Sequence, residues 1–185
     1  MKSSVTLVLA VAVFSTLFLG SSGASVGAGL KLDLGIIDKL LEGIDGILGN
    51  LIKGVAGVVD KVGDTTNGAL NGVNDLLKNA TGETADLLNE TKDVLSKIPA
   101  LVNETSAALS EAIKSNTTEA WNKVNDWVKK ITSTVDELQQ LQVKIEANAN
   151  LGILGKEIGS VVSGLTELSS KIVNVQASVS GGKTA

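Results

Sequence analysis

From Ile37 the apolar residues recur at alternating steps of four and three: Ile37, Leu41, Ile44, Leu48, Leu51, Val55, Val58 and Val62. A period near 3.5 keeps such side chains on one stripe, so nearly four heptads predict a long amphipathic helix. The last segment repeats the pattern with Leu151, Leu154, Ile158, Val161, Leu165, Leu168, Ile172, Val175 and Val179. Between them, Val124, Trp127, Ile131, Leu138, Leu141 and Ile145 mark a third long amphipathic stretch, widened by Val128 and Val135. This register puts Trp127 in the core and Trp121 beside it.

The middle of the chain is expected to divide into shorter pieces. Gly63, Asn67-Gly68 and Asn71-Gly72 read as turns after the first helix, and Thr81-Gly82 as another. Pro99 fits the first turn of a new helix, and Asn116 followed by Glu119 resembles a further helix start. Five or six helices are predicted, with no period-two segment to suggest a strand. The fold class is therefore all-α: an elongated helical bundle or coiled-coil-like hairpin of amphipathic, glycine-rich helices.

Glycine changes the energetic picture. Gly35, Gly43, Gly46, Gly49, Gly54, Gly57 and Gly63 lie in or beside the first helix, mostly away from its seam, and Gly152, Gly155, Gly159 and Gly164 lie opposite the last one. Each costs about 1 kcal/mol relative to alanine within a helix, so these helices need something to cover their apolar stripes. Three covers are open: other helices of the same chain, further copies or a protein partner, and a neutral lipid or other apolar surface. The simplest arrangement has the two glycine-rich helices covering each other or the central helix. Anionic bilayers are a poor match, because the first helix is net acidic and only Trp121 and Trp127 supply aromatic rings after residue 24.

The amino end reads as an export signal. Lys2 is a positive lead, Val5 to Leu19 is apolar apart from Ser15 and Thr16, and Ser22-Gly23-Ala24 offers small residues for cleavage. The expected organisation is a signal peptide at 1–24, a flexible lead-in at 25–32, one helical domain at 33–180 and a flexible tail at 181–185. The polar carboxyl end lacks the hydrophobic tail that a lipid-anchor exchange requires. A secreted, soluble, extracellular product is expected.

Four Asn-x-Thr triplets begin at Asn79, Asn89, Asn103 and Asn116. With 13 asparagines and 14 threonines in 185 residues, random placement gives about one. In a eukaryotic secretory pathway these are N-glycosylation acceptors, whereas in a bacterium they carry no such meaning. All fall within 79–118, so that middle region must keep a face in water.

Composition removes much of the usual chemistry. The chain has no cysteine or histidine and no arginine or tyrosine, which excludes disulfides, thiol catalysis and the commonest general base and metal ligand. Without Lys2, 15 lysines face 20 acidic residues, a balance unsuited to nucleic acid. Ser180-Gly181-Gly182-Lys183-Thr184 lacks the leading glycine of a phosphate loop, since position 177 is alanine, and has no following helix. Neither 63–68 nor 67–72 carries the alternating acids of a calcium loop. Asp136-Glu137 sits on a polar helix face, and Lys129-Lys130 reads as solvated. No cofactor, metal or catalytic site is expected. The function expected is that of a secreted, non-enzymatic, N-glycosylated helical protein acting by helix packing in an extracellular interaction, self-assembly or structural role. The alternative is a carrier of lipid or another hydrophobic surface whose bundle opens at an apolar interface.

Overall fold

The structure, a computed structural model, describes residues 46–181, and the expectations for residues 1–45 and 182–185 lie outside it. Four α-helices fill this stretch: α1 (Ile47–Leu77), α2 (Gly82–Ser115), α3 (Thr118–Glu146) and α4 (Gly152–Gly181). No strand occurs among the described residues. Connections of two to five residues force each helix to run back along the one before it. The helices pack in a ring, α1 on α2, α2 on α3, α3 on α4, and α4 back onto α1. At 1.5 Å per residue, helices of this length extend roughly 45–50 Å.

Each helix contributes an inward stripe to one continuous, mostly aliphatic core that includes Trp121. Of the predicted first seam, Val55, Val58 and Val62 are buried, Leu48 and Leu51 are half-buried, and Ile37, Leu41 and Ile44 lie outside the described residues. Of the last seam, Leu151, Leu154, Ile158, Val161, Leu165, Leu168, Ile172 and Val175 are buried, while Val179 is half-buried. Ile52 and Val59, beside the first seam, are buried as well. A helix that touches two neighbours needs a stripe wider than a two-stranded coiled coil, which explains these extra positions.

Several local expectations are overturned. Among the described residues there are four helices, with fewer breaks than the turn signals predict, because α1 runs through Gly63, Asn67-Gly68 and Asn71-Gly72 without a break. The inward stripe continues there in smaller side chains, Thr66, Ala69 and Val73, and burial of that stripe outweighs the local turn preference of Asn-Gly. Pro99 lies inside α2 rather than at a helix start, and it is buried. Lacking an N–H, it leaves the Leu95 carbonyl without its intrahelical donor, which packing on both sides of α2 outweighs. Asn116 does not start α3. It closes α2 in the left-handed conformation, φ 50°, with its N–H donating to the Ala112 carbonyl at 2.9 Å. Thr117 caps α3 instead, its hydroxyl oxygen accepting from the Ala120 N–H at 3.2 Å. Gly82, at φ +61°, occupies the predicted turn after Thr81, where an L side chain would be strained.

The two glycine-rich helices do cover each other, but their glycines are not confined to the outside. Gly49, Gly63, Gly155 and Gly164 are buried. A Cβ added to Gly164 would stand 2.8 Å from Val62 Cγ2, and one on Gly72 would stand 2.6 Å from Glu157 Oε2. Gly164 lets α1 and α4 approach closely, a packing role that a seam-versus-outside division misses, whereas at Gly72 the near atom is the movable end of the Glu157 side chain.

Candidate functional site

The feature that sets one part of the surface apart is the outer edge of α2. Because α2 packs on α1 and α3, its exposed stripe runs through Asp86, Asn89, Asp93, Ser96 and Ala100 to the half-exposed Asn103. Asn89 and Asn103 are two heptads apart and therefore occupy the same outward position. Asn79 is exposed in the 78–81 turn that precedes α2, and Asn116 is half-buried where α2 ends. The four asparagines thus mark α2 from one end to the other. At 1.5 Å per residue, Asn89 and Asn103 stand about 21 Å apart along the helix.

Within a helix, residues two apart point about 200° apart, so an outward asparagine in an Asn-x-Thr triplet sends its threonine inward. Thr91 is 0% exposed and Thr105 1%. Their hydroxyls donate to the carbonyls one turn earlier, Thr91 to Leu87 at 2.8 Å and Thr105 to Leu101 at 2.7 Å. Two of the triplets are therefore split, with the amide in water and the hydroxyl in the core. The other two are open, since Thr81 and Thr118 are exposed in or beside turns. The sequence reading missed this division, although the placement of 91, 98, 105 and 112 at heptad spacing was available to reveal it.

At Asn116 the side chain does additional work. Its Oδ1 accepts from the indole Nε1 of Trp121 at 3.3 Å, leaving Nδ2 as the remaining polar atom of the amide. Trp121 is buried and Trp127 is only half-buried, the reverse of the sequence expectation. The inward register of α3 runs through Trp121, Val124, Val128, Ile131 and Val135, and Trp127 falls at its margin. There Lys130 Nζ lies 3.7 Å from the Trp127 ring centroid, a cation over an aromatic face. Lys129 and Lys130 are both exposed, and Lys129 pairs with Asp126 at 3.5 Å.

A groove of about 430 Å³ lies where the start of α2 meets the end of α3, lined by Glu83, Thr84, Leu87, Lys144 and the 147–149 turn. Asn148 Nδ2 donates to Thr84 Oγ1 at 3.4 Å across it, and Lys144 pairs with Glu90 at 3.6 Å nearby. These half-buried and exposed partners carry no nucleophile–base geometry. Asp136 and Glu137 are both exposed on α3. Among the described residues no group of three or more acidic side chains is placed to hold a metal ion, and no helix is long and apolar enough to cross a membrane. Glu157, half-buried on α4, has its carboxyl pKa raised by desolvation alone. Comparisons with protein-family models, curated proteins and solved structures find no match.

Proposed function

We propose that this chain is a secreted, non-enzymatic glycoprotein in which a helical bundle serves as a rigid carrier of carbohydrate along one edge, in an extracellular structural or interaction role. The observation that carries the reading is the row of Asn79, Asn89, Asn103 and Asn116 along α2 and the turns at its ends, with Asn79 and Asn89 exposed and the other two half-exposed. The helix diagonal to α2 in the ring, α4, carries no such triplet. Sugar would coat one flank and leave the other bare for contact with a protein partner or a further copy.

The chain's own helices cover the described part of both seams, which favours a bundle that stands without a partner. Expression with its own leader in a eukaryotic secretory cell tests the reading. The expected product is in the medium, loses mass on treatment with a peptide-N-glycosidase, and keeps its helicity afterwards. A product retained in the cell, or one with unmodified asparagine at all four positions, refutes it. Sedimentation over a range of concentrations then separates a lone bundle from an assembly.

One observation favours the carrier as a second reading. The connections 78–81 and 147–151 lie at the same end of the bundle, and they alone join the α1–α4 pair to the α2–α3 pair. The pairs could swing apart about that end and lay their apolar faces on neutral lipid. Flotation with uncharged phospholipid vesicles, with emission from the buried Trp121 as the report of opening, tests it. Failure to float leaves only the first reading.

A further inference from the structure

The two kinds of triplet imply two kinds of acceptor, and this inference rests on the glycoprotein reading above. N-glycosylation forms a bond from the asparagine Nδ2 to the anomeric carbon of an oligosaccharide. The bond from that carbon to a lipid-linked diphosphate breaks, the diphosphate leaves with the electron pair, and the amide proton passes to a base. The acceptor signature needs both the amide and the hydroxyl two residues later, so the transferring enzyme must reach both.

In the folded bundle that condition is met at the ends of α2 and fails along it. Thr81 and Thr118 are exposed, whereas Thr91 and Thr105 are 0% and 1% exposed and their hydroxyls are committed to the Leu87 and Leu101 carbonyls. Moving those hydroxyls outward means turning α2 about its own axis by about half a revolution, which would bury Asn89 and Asn103 in their place. No rotation of an intact helix presents both groups on one side. The helix must be undone at each triplet, and Leu88, Leu95, Ile98 and Val102 tie that stretch into the core.

We propose that Asn89 and Asn103 are modified only before α2 joins the bundle, while Asn79 and Asn116 remain acceptors in the folded protein. The chain then records its own folding order: sugar at 89 and 103 reports how long α2 stayed open, and sugar at 79 and 116 does not. Since α3, one of the two helices on which α2 packs, follows it in the chain, the open interval lasts at least until α3 has emerged.

The test uses the full chain made in bacteria without N-glycan, folded, and incubated with an oligosaccharyltransferase and a lipid-diphosphate-linked oligosaccharide. Synthetic peptides centred on each triplet form the parallel arm, and site occupancy is read by peptide mass spectrometry. All four peptides should be modified. In the folded chain, Asn79 should react at a rate close to its peptide, Asn116 more slowly than its peptide because its half-buried amide is held by Trp121 Nε1, and Asn89 and Asn103 at least about a hundredfold more slowly than theirs, because reaching them requires the core to open. Comparable rates at all four sites of the folded chain overturn this inference and leave the glycoprotein reading intact. A folded chain closed at all four sites, with reactive peptides, also overturns the division. Peptides that fail to react, together with a secreted product free of sugar, overturn the glycoprotein reading itself.

Discussion

Replacing Gly164 by alanine isolates the close approach of α1 and α4. In an open helix position the change is favourable by about 1 kcal/mol, because glycine loses more backbone freedom on folding. Gly57 provides that reference, since a Cβ added there meets nothing within 4 Å. At Gly164 the new methyl would stand 2.8 Å from Val62 Cγ2, short of ordinary carbon contact by roughly 1 Å. Val62 is 1% exposed and, being β-branched, has one favoured rotamer in a helix, so it cannot turn aside. Overpacking of this kind costs about 1–3 kcal/mol, which cancels or reverses the helix gain. Gly57→Ala should therefore stabilise by about 1 kcal/mol, and Gly164→Ala should be neutral or destabilising by up to about 2 kcal/mol. Urea unfolding of the unglycosylated chain, followed by helical circular dichroism, measures both. Adding Val62→Ala should remove part of the Gly164→Ala penalty, a positive coupling in a double-mutant cycle. If Gly164→Ala stabilises as much as Gly57→Ala, α1 and α4 do not pack through this glycine.

Other perturbations probe separate parts of the bundle. Thr66 Oγ1 is buried with no hydrogen-bond partner, so Thr66→Val should stabilise by about 1–3 kcal/mol; a loss of stability in the same denaturation assay would contradict the assignment. Thr117→Ala removes the cap on α3 and should cost about 1 kcal/mol. It changes only the middle position of its triplet and leaves Asn116 and Thr118 in place, so thermal unfolding should move while occupancy at Asn116 should not. Burial raises the Glu157 pKa in the folded state, so its contribution to stability is fully present below the unfolded value and is lost as pH rises through the folded value. Glu157→Gln should accordingly raise the unfolding midpoint at pH 7 and change it little below about pH 4, where the carboxyl is protonated in both states. An equal gain at both pH values would assign the effect to packing instead.

How far the sequence carried depended on the size of the side chains bearing the signal. The α4 seam is legible from Leu154 to Val175 because every heptad position holds leucine, isoleucine or valine, whereas the buried Gly155 and Gly164 beside it carry no apolar signal. The second half of α1 was not, because Thr66 and Ala69 do the same work with less apolar surface while Asn67-Gly68 and Asn71-Gly72 advertise turns. Pro99 misled for a related reason: a buried position in a helix held on two sides tolerates a missing donor that an isolated helix would not. The spacing of Val124, Trp127 and Ile131 puts Trp127 in the core, yet a register shifted by one position, through Val128, puts Trp121 inside and leaves Trp127 to the Lys130 ammonium. The asparagines of the edge could be found by their triplets alone. The inward turn of Thr91 and Thr105 needed the helix axis, and hence the neighbours that decide which side of α2 is wet.

The ring also sets how the bundle meets a mechanical load. Gly46 and Gly181 bound the described helices on α1 and α4, which are antiparallel neighbours, so both lie at the same end. Tension applied through the flanking chain would draw those two helices apart like the sides of a zip fastener, parting one layer of side chains at a time instead of shearing the whole interface at once. Such a molecule yields gradually to a weak pull, and stretching it between optical beads should give a low, shallow rupture in place of a single high-force snap.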